Sequence, residues 1–142
     1  VDDRVLEAAR GWLGTPYVHQ ASLRGGGTDC LGLIRGIWRD LYGREPEEPP
    51  AYTQDWAECG PREVLMDAAA RHLCAVPDAA PWQAGQVLLF RMRAGAIAKH
   101  LGILSVTGAA PRFLHAYTGH GVIESPLTPP WQSRIVARFR FP

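Results

Sequence analysis

A thiol and two imidazoles are the residues in this sequence best equipped for covalent chemistry. Cys30 lies in Gly27-Thr28-Asp29-Cys30-Leu31-Gly32-Leu33, where polar capping residues give way to an apolar helical stripe. That places the thiol in the first turn of a helix. A first turn carries free N–H groups and about half a positive charge. Such a field lowers a cysteine pKa and favours the thiolate, which is the nucleophile. The same N–H groups can hold an oxyanion as it develops on a carbonyl under attack. Gly32 is expected to leave space beside the sulfur. The plainer alternative is a small buried cysteine with no chemical duty, and the local sequence leaves both readings open.

His100 opens the run His100-Leu101-Gly102-Ile103-Leu104, and Phe113-Leu114-His115-Ala116-Tyr117 follows after a short connector. Two such runs form a hairpin. Its ladder sets His100 against residues 115–118, so the two rings can be neighbours. A thiol, an imidazole base and a second polar group orienting that base make a nucleophilic triad. Against this stands the reading of two unrelated strand histidines. A zinc site is the rival chemistry. It would have to gather Cys30, His100 and His115 from far apart, without the short ligand spacing that zinc motifs use. The spacing therefore argues against a metal site.

The remaining candidates have plainer roles. His19 sits in a loop close to Cys30 in sequence and can line a cleft. His72 falls on the apolar side of a helix and is read as a packed or capping residue. His120, in the turn Thr118-Gly119-His120-Gly121, is read as exposed. Cys59 and Cys74 flank the third helix and are taken as structural. Three cysteines are an odd number and none forms a Cys-x-x-Cys pair, so a disulfide scaffold is not expected and at least one thiol is free.

The elements that must position these groups follow from periodicity. Residues 2–13 read as a helix, capped by Asp2 or Asp3, with Val5, Leu6, Ala9, Trp12 and Leu13 on one stripe and Gly14 as its stop. Residues 16–29 read as a loop. A second helix over 30–42 takes Thr28 or Asp29 as its N-cap, buries Leu33, Ile34, Ile37, Trp38 and Leu41, and ends at Gly43. An extended connector spans 45–50. A third helix begins at Pro61 and runs to about residue 75. Beyond Pro77 come short strand-like runs at 86–92, 100–106, 113–117, 122–125 and 135–141. The Pro-rich stretch 125–131 is read as a packed loop in preference to a docking strip. Helices first and strands second predict an α+β fold, with N-terminal helices packed on an antiparallel sheet.

Composition narrows the function classes. With 142 residues the chain is expected to form a single domain over 1–142. Fifteen basic and fourteen acidic residues leave a net charge of +1, which gives no electrostatic case for nucleic acid as a partner. No apolar run approaches the roughly 20 residues needed to cross a bilayer, so membrane insertion is not expected. Val1-Asp2-Asp3-Arg4 lacks the apolar stretch of a signal peptide. The expectation is a chain made in the cytoplasm that either stays there or is carried out by something else.

Taken together, four stretches in order resemble the NlpC/P60 family of papain-like cysteine peptidases. Gly14-Thr15-Pro16-Tyr17 is similar to the family's G-x-P-Y segment, and Asp29-Cys30-Leu31-Gly32 to its D-C-S-G motif. Ala84-Gly85-Gln86-Val87-Leu88-Leu89-Phe90 is similar to P-G-D-L-V-F-F. His100-Leu101-Gly102-Ile103 with the later His115-Ala116 is similar to H-V-G-I and H-A. Leu31 stands where the family usually has Ser, and Gln86 where it usually has Asp. The run from Asp29 to Arg39, with Tyr42-Gly43 and Glu45-Pro46, is similar to a subgroup found in phage tails and gene transfer agents.

The resemblance implies a papain-like core with the cysteine on a helix and both histidines on the sheet. It implies that Cys30 attacks a peptide carbonyl, His100 moves the proton and His115 orients His100. Tyr17 then borders the nucleophile and helps the oxyanion, with Asp29 and His19 on the same substrate side. The implied substrate is the stem peptide of peptidoglycan, often cut between D-glutamate and a diamino acid, and the resemblance implies no metal or organic cofactor. The implied partners are tail-tip or baseplate proteins of a phage-like particle that delivers the enzyme to the cell wall or periplasm. Two other classes stay open: a catalytically silent tail adaptor, and a thiol amidase or acyltransferase on the same fold.

Overall fold

The computed structural model describes residues 1–47 and 63–142. Cys59, the expected helix start at Pro61 and the connector from Glu48 onward lie outside the described residues.

Helix α1 (Asp3–Arg10) starts where Asp2 caps it, its carboxylate accepting from the Val5 N–H at 3.4 Å. It is shorter than the periodicity predicts. Residues 11–14 form a turn that brings Trp12 back onto the same buried stripe as Val5 and Ala9. Helix α2 (Cys30–Tyr42) has the predicted bounds, with Asp29 as N-cap and Gly43 in the left-handed region at φ 78°. The two helices lock through Trp12. A Cβ on Gly36 would lie 1.9 Å from its ring, and its indole N–H donates to Asp40 at 3.0 Å. Only glycine at position 36 admits that ring. Helix α3 (Val64–His72) also ends before its predicted limit. Cys74 and Ala75, expected in that helix, instead belong to strand β3 (Cys74–Val76), because Arg138 to Arg140 supply an antiparallel partner.

Residues 16–29 are not a plain loop. They hold a two-stranded ribbon, β1 (Ser22–Leu23) and β2 (Gly27–Thr28). The main sheet comprises β3, β4 (Val87–Phe90), β5 (His100–Val106), β6 (Arg112–Tyr117), β7 (Gly121–Pro126) and β8 (Ile135–Arg140). Its order is β3-β8-β4-β5-β6-β7, antiparallel throughout. The fold is therefore α+β, as the sequence predicts.

Alternation along the strands gives the sheet two apolar faces. Val87, Leu89, Leu101, Ile103, Leu114 and Ala116 meet α1, α2 and α3 in the larger core. Leu88, Phe90, Leu104 and Phe113 form a smaller core under Leu127 and Trp131. Trp131 lies on α4 (Pro129–Gln132), so the Pro-rich stretch packs as expected but as a helical turn. Each large side chain so buried contributes about 1.5–3 kcal/mol. His100 and His115 alternate with Leu101 and Leu114, which assigns them to the face of the smaller core.

Candidate active site

The cysteine side is built from backbone. Asp29, only 2% exposed, has both carboxylate oxygens engaged. One accepts from the Gly32 N–H at 2.7 Å and caps α2; the other accepts from the Gln20 N–H at 2.8 Å. Gln20 adopts φ 64°, a conformation unusual for a residue with a side chain. This loop lies directly on the start of the helix: a Cβ at Gly32 would fall 1.9 Å from the Ala21 carbonyl oxygen. The expected open space beside the sulfur is therefore filled by the loop backbone, and glycine is there to let the loop approach. Tyr17 bridges to Thr28, is half-buried, and its hydroxyl pairs with Thr118. His19 sits beside Asp29, with its Nδ1 at 4.0 Å from the carboxylate.

The histidine side is built from rings. Register sets Ile103 opposite Leu114 and Leu104 opposite Phe113; continued, it sets Gly102 opposite His115. A Cβ on Gly102 would lie 2.9 Å from the Phe113 ring and 3.4 Å from His115, so the glycine makes room for both. His100 Nε2 and His115 Nδ1 are hydrogen-bonded at 2.8 Å. His115 Nε2 continues the chain to Ser125 Oγ at 2.9 Å. The Trp131 ring centre is 5.8 Å from that of His100 and 5.4 Å from that of His115. Tyr117 stacks on His115, and the exposed His120 stacks on Tyr117.

The two sides meet at the start of β5. The Cys30 thiol donates to the Lys99 carbonyl at 3.7 Å, and the N–H of Leu101 points to the sulfur. The thiol thus rests against the backbone on either side of His100. A second clamp holds the sides together: Val122 N–H donates to the Thr15 carbonyl at 2.9 Å, and Gly14 N–H to the Val122 carbonyl at 3.0 Å.

A model of the NlpC/P60 family matches residues 14–140, nearly the whole chain. The chain belongs to the NlpC/P60 family. The fold likeness extends to solved NlpC/P60 structures. An NlpC/P60 family protein from Bacillus cereus superposes with a TM-score of 0.64 at 19% identity, over 98% of this chain and 39% of that one. A lipoprotein-like NLP/P60 protein from Staphylococcus aureus gives 0.60 at 22% identity, over 99% and 42%. The NlpC/p60 domain of the peptidoglycan hydrolase SagA gives 0.60 at 21%, over 98% and 97%. The chain therefore spans about two fifths of the first two proteins and nearly all of the third chain. No protein with a curated description matches it in sequence.

Electrostatics at this NlpC/P60 site run against the sequence expectation. The helix N-terminus alone favours a thiolate. Burial, with the Asp29 carboxylate next in line, instead pushes the Cys30 thiol up to about 12. The N–H groups of Leu101, Leu31 and Cys30 oppose this without overcoming it. Burial, then the His115 and Lys99 charges, push His100 down to about 3. Burial and His120 push His115 down to about 4. These shifts favour a neutral thiol and neutral imidazoles over a thiolate–imidazolium pair.

Sequence reasoning missed Ser125 and Trp131. Strand parity alone could have found the serine, since Phe113 pairs with Ser125 and His115 with Ile123, which puts all four on one face. Trp131 needed the fold of the Pro-rich segment. His72 and Cys74 lie away from the site. His72 packs edge-on against Trp38, and Cys74 pairs with Arg140 in β3. Among the described residues, no group of three or more His, Cys, Asp and Glu side chains is placed to hold a metal.

Proposed function

We propose that this NlpC/P60 chain is a cysteine peptidase that cuts amide bonds in the stem peptides of peptidoglycan. The observation that carries the reading is the chain His100–His115–Ser125 ending at the strand against which the Cys30 thiol rests. A neutral His100 whose Nε2–H is given to His115 keeps a lone pair on Nδ1. That nitrogen takes the thiol proton as sulfur bonds to the substrate carbonyl carbon. Asp29 occupies the Gly32 N–H, so the first-turn donors left for the oxyanion are those of Cys30 and Leu31, with the Tyr17 hydroxyl nearby. Collapse breaks the C–N bond, and His100 gives its proton to the leaving amine. Water, deprotonated by His100, then hydrolyses the thioester and frees Cys30.

The peptidoglycan substrate is supported by family membership and by the fold likeness to a domain of a peptidoglycan hydrolase. The D-glutamate–diamino acid bond and delivery by a phage tail or gene transfer agent rest on the sequence resemblance. Digestion of purified peptidoglycan should release new amino groups and no new reducing sugar ends, and mass spectrometry of the fragments names the bond. Absence of new amines would turn the reading toward a silent tail adaptor, which the shifts toward neutral groups also fit. Delivery predicts that the chain copurifies with phage-like particles; particles lacking it would remove that part.

A further inference from the structure

We propose that Ser125 is a positioning residue that lets the buried His115 carry its proton on Nε2 and, through it, keeps His100 able to act as a base. This rests on the peptidase reading for its consequence but not for its geometry. A neutral imidazole has one N–H, so the hydrogen bond between His100 Nε2 and His115 Nδ1 has two forms. In one, His100 donates from Nε2, His115 accepts at Nδ1, and the remaining His115 proton sits on Nε2. In the other, His115 donates from Nδ1 and accepts at Nε2, and the remaining His100 proton sits on Nδ1. Only the first leaves a lone pair on His100 Nδ1. Only the first can take up a thiol proton.

Ser125 at the far end of the chain can serve either form, accepting from an Nε2–H or donating to a bare Nε2. What it decides is whether the first form is tolerated: its loss leaves that form a buried unpaired donor and the second only an unpaired ring lone pair. His115 is 1% exposed, so a proton on its Nε2 needs an acceptor inside the protein. The Ser125 Oγ lies 2.9 Å from that nitrogen. The aromatic groups around His115 (Phe113, Tyr117 and Trp131) meet it with their ring faces and edges. Ser125 reaches it because β7 pairs with β6 in a register that sets Phe113 opposite Ser125, one step along the shared face from His115. Without the hydroxyl, the Nε2–H form buries an unpaired donor, and the pair shifts to the form with an idle base.

The test is NMR of nitrogen-labelled histidine together with kinetics on peptidoglycan. In the wild type, His115 should report an Nε2–H ring. Ser125→Ala should move His115 toward Nδ1–H and lower kcat by about ten- to a hundred-fold, the span set by one buried unpaired N–H, with KM little changed. Ser125→Thr retains a hydroxyl and should restore both the tautomer and most of kcat. Thermal melts that overlay the wild type separate this from unfolding. An Nδ1–H ring in the wild type, or an Ala variant with an unchanged tautomer and kcat, would overturn the proposal. If the wild type releases no amines at all, the peptidase reading fails, and the tautomer shift in Ser125→Ala still decides the role of the serine.

Discussion

The Cys30 thiol rests on the backbone that flanks His100, and the two side chains are held by opposite means. The thiol is fixed by backbone: a capped helix start, a loop laid on Gly32, and the peptide groups flanking His100. The imidazoles are fixed by side chains: a hydrogen-bonded pair, a serine behind them and a wall of aromatic rings. The difference teaches where each half tolerates change. A truncated side chain at position 30 removes a reacting atom and leaves its frame standing. A truncated ring on the histidine side removes part of the frame itself.

The sharpest way to separate the halves is therefore to delete from each. Cys30→Ala should lose activity on the order of 10³-fold or more and melt close to the wild type. His100→Asn should be nearly as inactive, since an amide cannot carry the proton. His115→Asn should retain part of the rate, because an amide still offers one donor and one acceptor, and His115→Ala should retain less and melt lower. Amine release from peptidoglycan and thermal melts measure both columns of that comparison. A fully active Cys30→Ala protein would end the peptidase reading. Equal rates for all His115 variants and the wild type would take that residue out of the site.

The same contrast governs what was legible in the sequence. Asp29, Cys30 and Gly43 give α2 its bounds because caps and stops are local signals. The histidine hairpin is legible because alternation and a short connector fix its register. What stayed hidden depended on distant chain. β3 exists because β8 pairs with it, and residues 74–76 carry too little pattern to announce a strand alone. Gly32 looked like open space until the Ala21 carbonyl occupied it. The helix field that favours a thiolate is local and readable; the burial that outweighs it is tertiary.

Acid should act on the histidine half. In the unfolded chain both rings take protons near pH 6.5. In the folded chain His100 resists protonation to about 3 and His115 to about 4. Between these values the unfolded state binds more protons. The stability these rings contribute is therefore complete above about pH 6.5 and is lost as pH falls through the window to about 3. Melting temperature against pH should show this slope, and a His100→Asn, His115→Asn double variant should flatten it. Parallel slopes in the two proteins would show that the acid sensitivity lies elsewhere.

The smallest expected effect probes the thiol half. Asp29 does two things that pull in opposite directions: it caps the helix that presents Cys30, and its charge disfavours the thiolate there. Asp29→Asn keeps one acceptor for the Gly32 N–H but loses the one offered to Gln20, and should lower stability by about 1–2 kcal/mol. Removing the charge should lower the thiol pKa and speed its alkylation by iodoacetamide at neutral pH. The wild-type thiol should alkylate slowly there, more slowly than a free cysteine. Peptide mapping after labelling assigns the reaction to Cys30 rather than Cys59 or Cys74. A rate that stays unchanged in Asp29→Asn would mean that burial alone holds the proton on sulfur. A rapid wild-type rate would mean that the helix field prevails after all, and that the nucleophile rests as a thiolate.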